Sequence, residues 1–125
     1  MTQQILGGFP SRRLRRLRKH DFSRRLVAEN TLTANDLIYP VFIIEGENHR
    51  EPVPSMPKVE RLTLDQLLIE AGLLVKYGVP VIALFPVVEQ DKKSLMADEA
   101  FNPNGLVQRA VKALKAAYPE SGVLT

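Results

Sequence analysis

At 125 residues with 45% hydrophobic content, the chain suffices for one modest domain, and no apolar run approaches the ~20 residues that a bilayer-crossing helix needs. Without cysteine it has no disulfides or thiolate metal sites within these residues, and "MTQQILGGFP" lacks the basic start and apolar stretch of a secretory signal, all of which fits the cytoplasm. Net charge is +3, but residues 1–28 hold eight of the 17 Lys and Arg against one acid, Asp21, so a basic arm of +7 precedes a body of −4.

Along the arm, "SRRLRRLRKH" offers only Leu14 and Leu17 for burial, so the stretch is predicted to be extended or disordered. "DFSRRLVAEN" sets Phe22, Leu26 and Val27 on one side at helical spacing, with Asp21 as cap, and predicts a short helix. From Leu37 to Ile44, "DLIYPVFIIEG" is nearly continuous apolar sequence, rich in β-branched and aromatic residues and stopped by Gly46. That is the pattern of a strand covered on both faces, as in parallel sheets. Pro40 has no N–H to give a neighbour, so it marks either the strand's start or an unpaired position.

"NHREPVPSMPKVER" carries prolines at 52, 54 and 57 and is predicted to be a rigid loop. In "RLTLDQLLIEAGLLVKYGVP", Thr63 with Gln66 reads as a capping box, and Leu64, Leu67, Leu68, Ala71 and Val75 as one buried stripe. Gly78 suits a left-handed position past the helix end, and Pro80 prevents continuation. Gly72 costs the helix ~1 kcal/mol, which predicts a close packing contact there. "VPVIALFPVV" reads as a second buried strand, and "EQDKKSLMADEAFNP" as a long polar excursion. In "FNPNGLVQRAVKALKAAYPE", Asn102 is expected to cap a helix beginning at Pro103, with Leu106, Val107, Ala110, Val111 and Leu114 inward. "GVLT" begins a third strand.

The order strand, helix, strand, helix, strand implies a parallel sheet with right-handed crossovers, in a barrel or an open doubly wound form. So few strands, with helices on one face, would leave the other face apolar and uncovered. These residues are therefore expected to belong to a larger sheet.

Parallel α/β folds place reactive groups at the strand ends, here Glu45, Glu47, Asn48 and His49 after the first strand and Glu89, Asp91, Lys92 and Lys93 after the second. Glu45, Glu47 and His49 have no second histidine at ligand spacing, so no metal site is assigned, and His20 in the arm is expected to be solvated. A Schiff-base lysine must be desolvated or crowded by a cation, whereas Lys92 and Lys93, flanked by Asp91 in a polar loop, are read as hydrated surface charges. No Walker or dinucleotide-type glycine pattern occurs, and no serine–histidine–acid set is defensible. The arm could neutralise nucleic-acid phosphates, but no aromatics interleave with its arginines. The alternative, favoured because the rest of the chain is negative, is contact with an acidic neighbouring subunit.

Several stretches together, "RRLRRLRKHDFSRRLVAEN", "DLIYPVFIIEGENHREPVPSMPKVERL", "ALFPVVEQDKKSLMADEAFNPNGLVQRAVKALK" and "YPESGVLT", closely resemble the start of the porphobilinogen synthase (delta-aminolevulinic acid dehydratase) family, in a bacterial, magnesium-responsive variant. The resemblance implies the N-terminal part of a (β/α)8 TIM barrel preceded by an extended basic arm, with residues 1–35 as arm and short helix and residues 36–125 as the first strand–helix units, the barrel being truncated. It implies condensation of two 5-aminolevulinate molecules to porphobilinogen with loss of two waters, for tetrapyrrole and heme synthesis. It further implies a cytoplasmic homo-octamer that uses magnesium, or zinc, in the full-length enzyme and has neither nucleic acid nor membrane as partner.

The family's two imine-forming lysines and its metal-binding segment have no counterpart here, so no catalytic, cofactor or metal residue is assigned and the segment alone is expected to be inactive. Phe85 and Pro86, at the exit of the second strand, are the expected wall of the complete site. Arg12, Arg13, Arg15 and Arg16 are the expected subunit-contact residues. A nucleic-acid-binding or subunit-interaction module is the competing reading.

Overall fold

The structure, a computed structural model, describes Gly8, Pro10, Arg13 and residues 15–125, so Arg12 lies outside the described residues. The chain divides into two compact units, residues 1–32 and residues 33–125.

In the first unit, α1 (Arg16–Lys19) and α2 (Asp21–Leu26) are short helices. The expectation of extended chain before Asp21 is corrected by α1. Arg24 accounts for that turn: its guanidinium donates to the carbonyls of Arg18 at 3.1 Å and Lys19 at 3.4 Å, satisfying acceptors that a helix end leaves open. Asp21 is not the cap of α2. His20 takes that position without a side-chain bond, while Asp21 sits in the first turn and pairs with Arg25 at 3.0 Å. Arg13, Arg15 and Arg16 are all exposed.

The second unit opens with a 3-10 turn at Ala34–Asp36, where Thr33 and Asp36 cap each other reciprocally; the Thr33 N–H reaches the Asp36 carboxylate at 2.7 Å. Five strands follow: β1 (Ile38–Ile43), β2 (Arg50–Pro52), β3 (Glu60–Leu62), β4 (Val81–Pro86) and β5 (Gly122–Leu124). They form one sheet in the order β2-β3-β1-β4-β5, parallel throughout except for the β2–β3 pair. That antiparallel hairpin corrects the expected proline loop. Pro54 and Pro57 fall in its turn, where Lys58 takes φ 68°, and Pro52 ends its first strand.

Two longer helices, α3 (Leu64–Tyr77) and α5 (Leu106–Ala117), cover one face of the sheet; between β4 and α5 lies the short α4 (Asp98–Phe101). The core joins Val41, Ile43, Leu62, Ile82 and Leu84 of the strands to Leu67, Ala71 and Leu74 of α3 and Leu106, Ala110 and Leu114 of α5. Each fully buried aliphatic side chain in such a layer contributes about 1.5–3 kcal/mol. Leu74, not Val75, continues the α3 stripe, because a 3.6-residue repeat carried on from Leu67 and Ala71 arrives at position 74. Gly78 has φ 75° and ends α3 as expected.

The packing contact expected at Gly72 is present: a Cβ there would stand 2.7 Å from the Tyr118 hydroxyl oxygen, which donates to the Leu68 carbonyl at 3.1 Å. Helix α5 begins at Leu106 behind Gly105, not at Pro103 behind Asn102. The Asn102 side chain instead accepts from the Asn104 N–H at 3.0 Å, closing a local turn that competes with the helix.

The prolines within β1 and β4 fit the ladder. The Ile44 N–H bonds Leu62 of β3, so by alternation Pro40 points its nitrogen toward the same edge, where β3 pairs only with Phe42 and Ile43. The Val87 N–H bonds Ile43, so Pro86 points its nitrogen toward β5, which pairs only with residues 81–83. Neither missing donor interrupts a rung.

Candidate functional site

The carboxyl ends of β1, β3 and β4 lie side by side, and on the face without helices the registers set Glu51, Arg61, Phe42 and Phe85 in one row across four strands. Their neighbours in sequence, Leu62, Ile43 and Leu84, point the other way into the core, as the two-residue period of a strand requires. Phe42 and Phe85 contact each other with ring centroids 6.0 Å apart and planes tilted by 52°. Arg61, on the other side of Phe42, donates to the Glu51 carboxylate at 2.6 Å. Above the row lies a hollow of about 420 Å³ lined by Phe42, Val53, Arg61, Phe85, Val87 and Lys93.

Phe85 and Pro86 both border this hollow, but on different terms. Phe85 is 49% exposed on the open face. Pro86, in register with Ile43, alternates toward the helix side and also borders an apolar hollow of about 400 Å³ with Leu84, Leu106 and Val107.

A second polar hollow of about 300 Å³ gathers Glu45, His49, Glu51, Glu89, Lys92 and Glu99 at the same strand ends, with Arg61 on its border. Glu45 is taken up by Arg109 of α5, which also donates to the Asn104 carbonyl. The loop from 45 to 49 is clasped to the start of α3. The Thr63 hydroxyl accepts from the His49 N–H at 3.1 Å and donates to Asp65 at 2.7 Å, and Asp65 accepts from the Asn48 N–H at 3.0 Å. The Thr63 hydroxyl, with these further donors, holds the Asp65 carboxyl below its usual range despite some opposing desolvation.

The expected capping box at Thr63 and Gln66 is therefore corrected. Thr63 is the N-cap without a side-chain cap bond, and Gln66 serves the loop and hairpin, bonding Asn48 at 3.0 Å and Arg50 at 2.8 Å. Arg50 also lies 3.4 Å from both Glu60 and Glu70, and Glu70 accepts from the Tyr39 hydroxyl at 3.1 Å. Burial, then the Glu70 carboxylate, push the Tyr39 hydroxyl above its usual value.

Lys92 and Lys93 are exposed, as read from the sequence, yet each borders a different hollow. Glu45 and His49 border one hollow and Glu47 does not, and among the described residues no three His, Asp or Glu side chains come close enough to share a metal ion. Arg61, Glu51 and Arg109 escaped sequence reasoning. The first two had no local signal, since Glu51 faces Arg61 only through the register of the β2–β3 pair, which neither "REP" nor "ERL" reveals alone.

Strands that alternate with helices, both long helices on one face, and hollows at the strands' carboxyl ends define a parallel α/β protein of the kind that places its chemistry at those ends. The family model of delta-aminolevulinic acid dehydratase matches residues 11–125, and the chain belongs to that family. The delta-aminolevulinic acid dehydratase of Bradyrhizobium diazoefficiens is 50% identical over 112 residues, which are 90% of this chain and 32% of that protein. That of Synechocystis is 44% identical over 93% of this chain and 35% of its own length. The crystal structure of the enzyme (porphobilinogen synthase) from Toxoplasma gondii ME49, in complex with the reaction product porphobilinogen, superposes with a TM-score of 0.81 at 44% identity. The match covers 90% of this chain and 32% of that one. The chain thus spans about a third of the length of the relatives it matches. Among the described residues no helix is long and apolar enough to cross a membrane.

Proposed function

We propose that these residues form the first strand–helix units of a (β/α)8 barrel in a porphobilinogen synthase, which condenses two 5-aminolevulinate molecules to porphobilinogen and two waters. The observation that carries this reading is the sheet's uncovered face. β1, β4 and β5 follow one another in sheet order while α3 and α5 pack on one side, an arrangement that a barrel wall continues strand by strand. In a barrel the opposite face is interior, and Phe42 and Phe85 become part of the inner wall near the carboxyl-end rim. Phe85 and Pro86 are the site wall in this reading.

The chemistry requires two lysines that form imines with the substrates, turning each ketone into an electron sink so that the adjacent carbon can be deprotonated and joined. Lys92 and Lys93 are not assigned that role, since both are exposed. Magnesium, or zinc, would be held by parts of the family protein outside these residues. The exposed Arg13, Arg15 and Arg16, together with Arg12, are the proposed contacts to a neighbouring copy in a cytoplasmic homo-octamer, with neither nucleic acid nor membrane as partner.

The test joins residues 1–125 to the remaining two thirds of the Bradyrhizobium relative and assays porphobilinogen from 5-aminolevulinate. The expected result is turnover by the joined protein and none by residues 1–125 alone. Pyrrole formed by the 125 residues alone, or none formed by a folded joined protein, overturns the reading.

A further inference from the structure

We infer that Asn104 is a self-modification site, where the Asn104–Gly105 pair closes to a succinimide that water reopens as aspartate or isoaspartate. Arg109 is the latch that sets the rate. The inference is independent of the porphobilinogen synthase reading.

The reactive pair is written in the sequence. Of the five asparagines, Asn104 alone precedes a glycine, and a glycine has no side chain to shield its backbone nitrogen. That nitrogen attacks the carbonyl carbon of the Asn104 side chain and gives up its proton as the new C–N bond forms. The bond to the side-chain nitrogen breaks, and ammonia leaves with the proton. Water then opens the ring at either carbonyl, so asparagine and water become an acid and ammonia. Asn102 has no such route, because Pro103 has no N–H to lose.

The fold leaves one reacting group free and restrains the other. The Asn104 side chain is exposed and makes no hydrogen bond with any described residue. Gly105 is buried, and its N–H donates to the Asn102 carbonyl at 2.9 Å. The same peptide group is pinned at its other end, where the Arg109 Nε donates to the Asn104 carbonyl at 3.0 Å. Arg109 is itself anchored on Glu45. Attack requires this peptide to turn, so both of its bonds must open first. Exchange of the glycine is opposed as well, since a Cβ there would stand 3.0 Å from the Asn102 carbonyl oxygen. Packing of the turn thus imposes the reactive pair that its hydrogen bonds restrain. The product carries a carboxylate on the residue Arg109 already touches. It becomes a rival of Glu45 for that guanidinium and alters the charge at the strand-end rim.

The experiment incubates the joined protein, folded at neutral pH and unfolded in urea. Peptide mass spectrometry follows the change from amide to acid at each asparagine of residues 1–125. Asn104 should convert first in both states and yield both aspartate and isoaspartate. Folding should slow it about tenfold or more, the factor by which the turn stays closed. Arg109→Ala should raise the folded-state rate about threefold or more and leave the rate in urea unchanged. Glu45→Gln, which leaves the guanidinium in place without its anchor, should raise the folded-state rate about twofold.

Equal rates in the folded and unfolded protein, or a folded-state rate that neither variant moves, overturn the latch and the inference with it. Conversion led by another asparagine, or aspartate formed without isoaspartate, overturns the site. If Arg109→Ala does not fold, Glu45→Gln decides through the same ratio of rates. A folded joined protein that makes no porphobilinogen refutes the catalytic reading and leaves these outcomes as they stand.

Discussion

The two faces of the sheet are built from the same strands and differ only by the parity of residue number. In β1, Val41 and Ile43 point into the layer covered by α3 and α5, where Ile43 is wholly shielded from solvent. Ile38 and Phe42 point the other way, and Ile38 is 56% exposed. In β4 the division is repeated by Ile82 and Leu84 against Ala83 and Phe85. The helix-covered face is close-packed and mainly aliphatic, with Tyr39 and Tyr118 against the core, whereas the open face carries Phe42 and Phe85 and ends in charged residues at its upper rim. Packing decides residue choice on one side and leaves it free for recognition on the other.

The most severe test of that contrast compares Ile43→Ala with Phe85→Ala in residues 1–125. Urea unfolding should show a loss of about 2–5 kcal/mol for the first, from transfer and cavity terms together. The second should lose less than about 1 kcal/mol, since its ring is half exposed and meets chiefly Phe42. Equal losses would mean that the two faces are not packed differently.

Next in size is Gly72→Ala. Helix propensity alone predicts a gain of up to about 1 kcal/mol, but the new Cβ would meet the Tyr118 oxygen at 2.7 Å, and overpacking of that kind costs about 1–3 kcal/mol. A net loss is expected, and Tyr118→Phe, by removing the oxygen, should turn the same substitution neutral or favourable. Additive losses in the four-variant cycle would break the account.

At the rim the effects shrink. Arg109→Ala removes the ion pair with Glu45, and both side chains are nearly half exposed, so the expected cost in thermal unfolding is below about 0.5 kcal/mol. The Asp65 clasp is exposed as well, and its signature is its pH dependence. A carboxylate whose folded value is lowered adds stability that is complete above its unfolded value and is lost as pH falls through the folded one. The loop from 45 to 49 should therefore loosen only below the ordinary aspartate range. Amide exchange at Asn48 and His49 would report it, and Asp65→Asn should remove that acid dependence.

The alternation of strands and helices was legible because continuous apolar runs and 3.6-residue stripes are written locally, as "VPVIALFP" and the inward residues of α5 show. What escaped was decided by competition between distant groups. Thr63 and Gln66 match a capping box in isolation, but once the chain folds the N–H groups of His49 and Asn48 and the Arg50 guanidinium supply rival partners. The hairpin was hidden by its prolines, which fall in the turn and at the end of a strand. Phe85 could be placed from its position at a strand exit. Arg61 could not, because its place beside Phe42 depends on a pairing between segments some twenty residues apart.

The two prolines of the central strands bear on what else this molecule can join. A strand arriving along the outer margin of β1 finds no donor at Pro40, so whatever acceptor it presents there goes unanswered. Alignments that depend on an unbroken series of rungs at that height are penalised, and casual edge-to-edge association of the kind that leads to aggregates is discouraged where this margin would otherwise invite it.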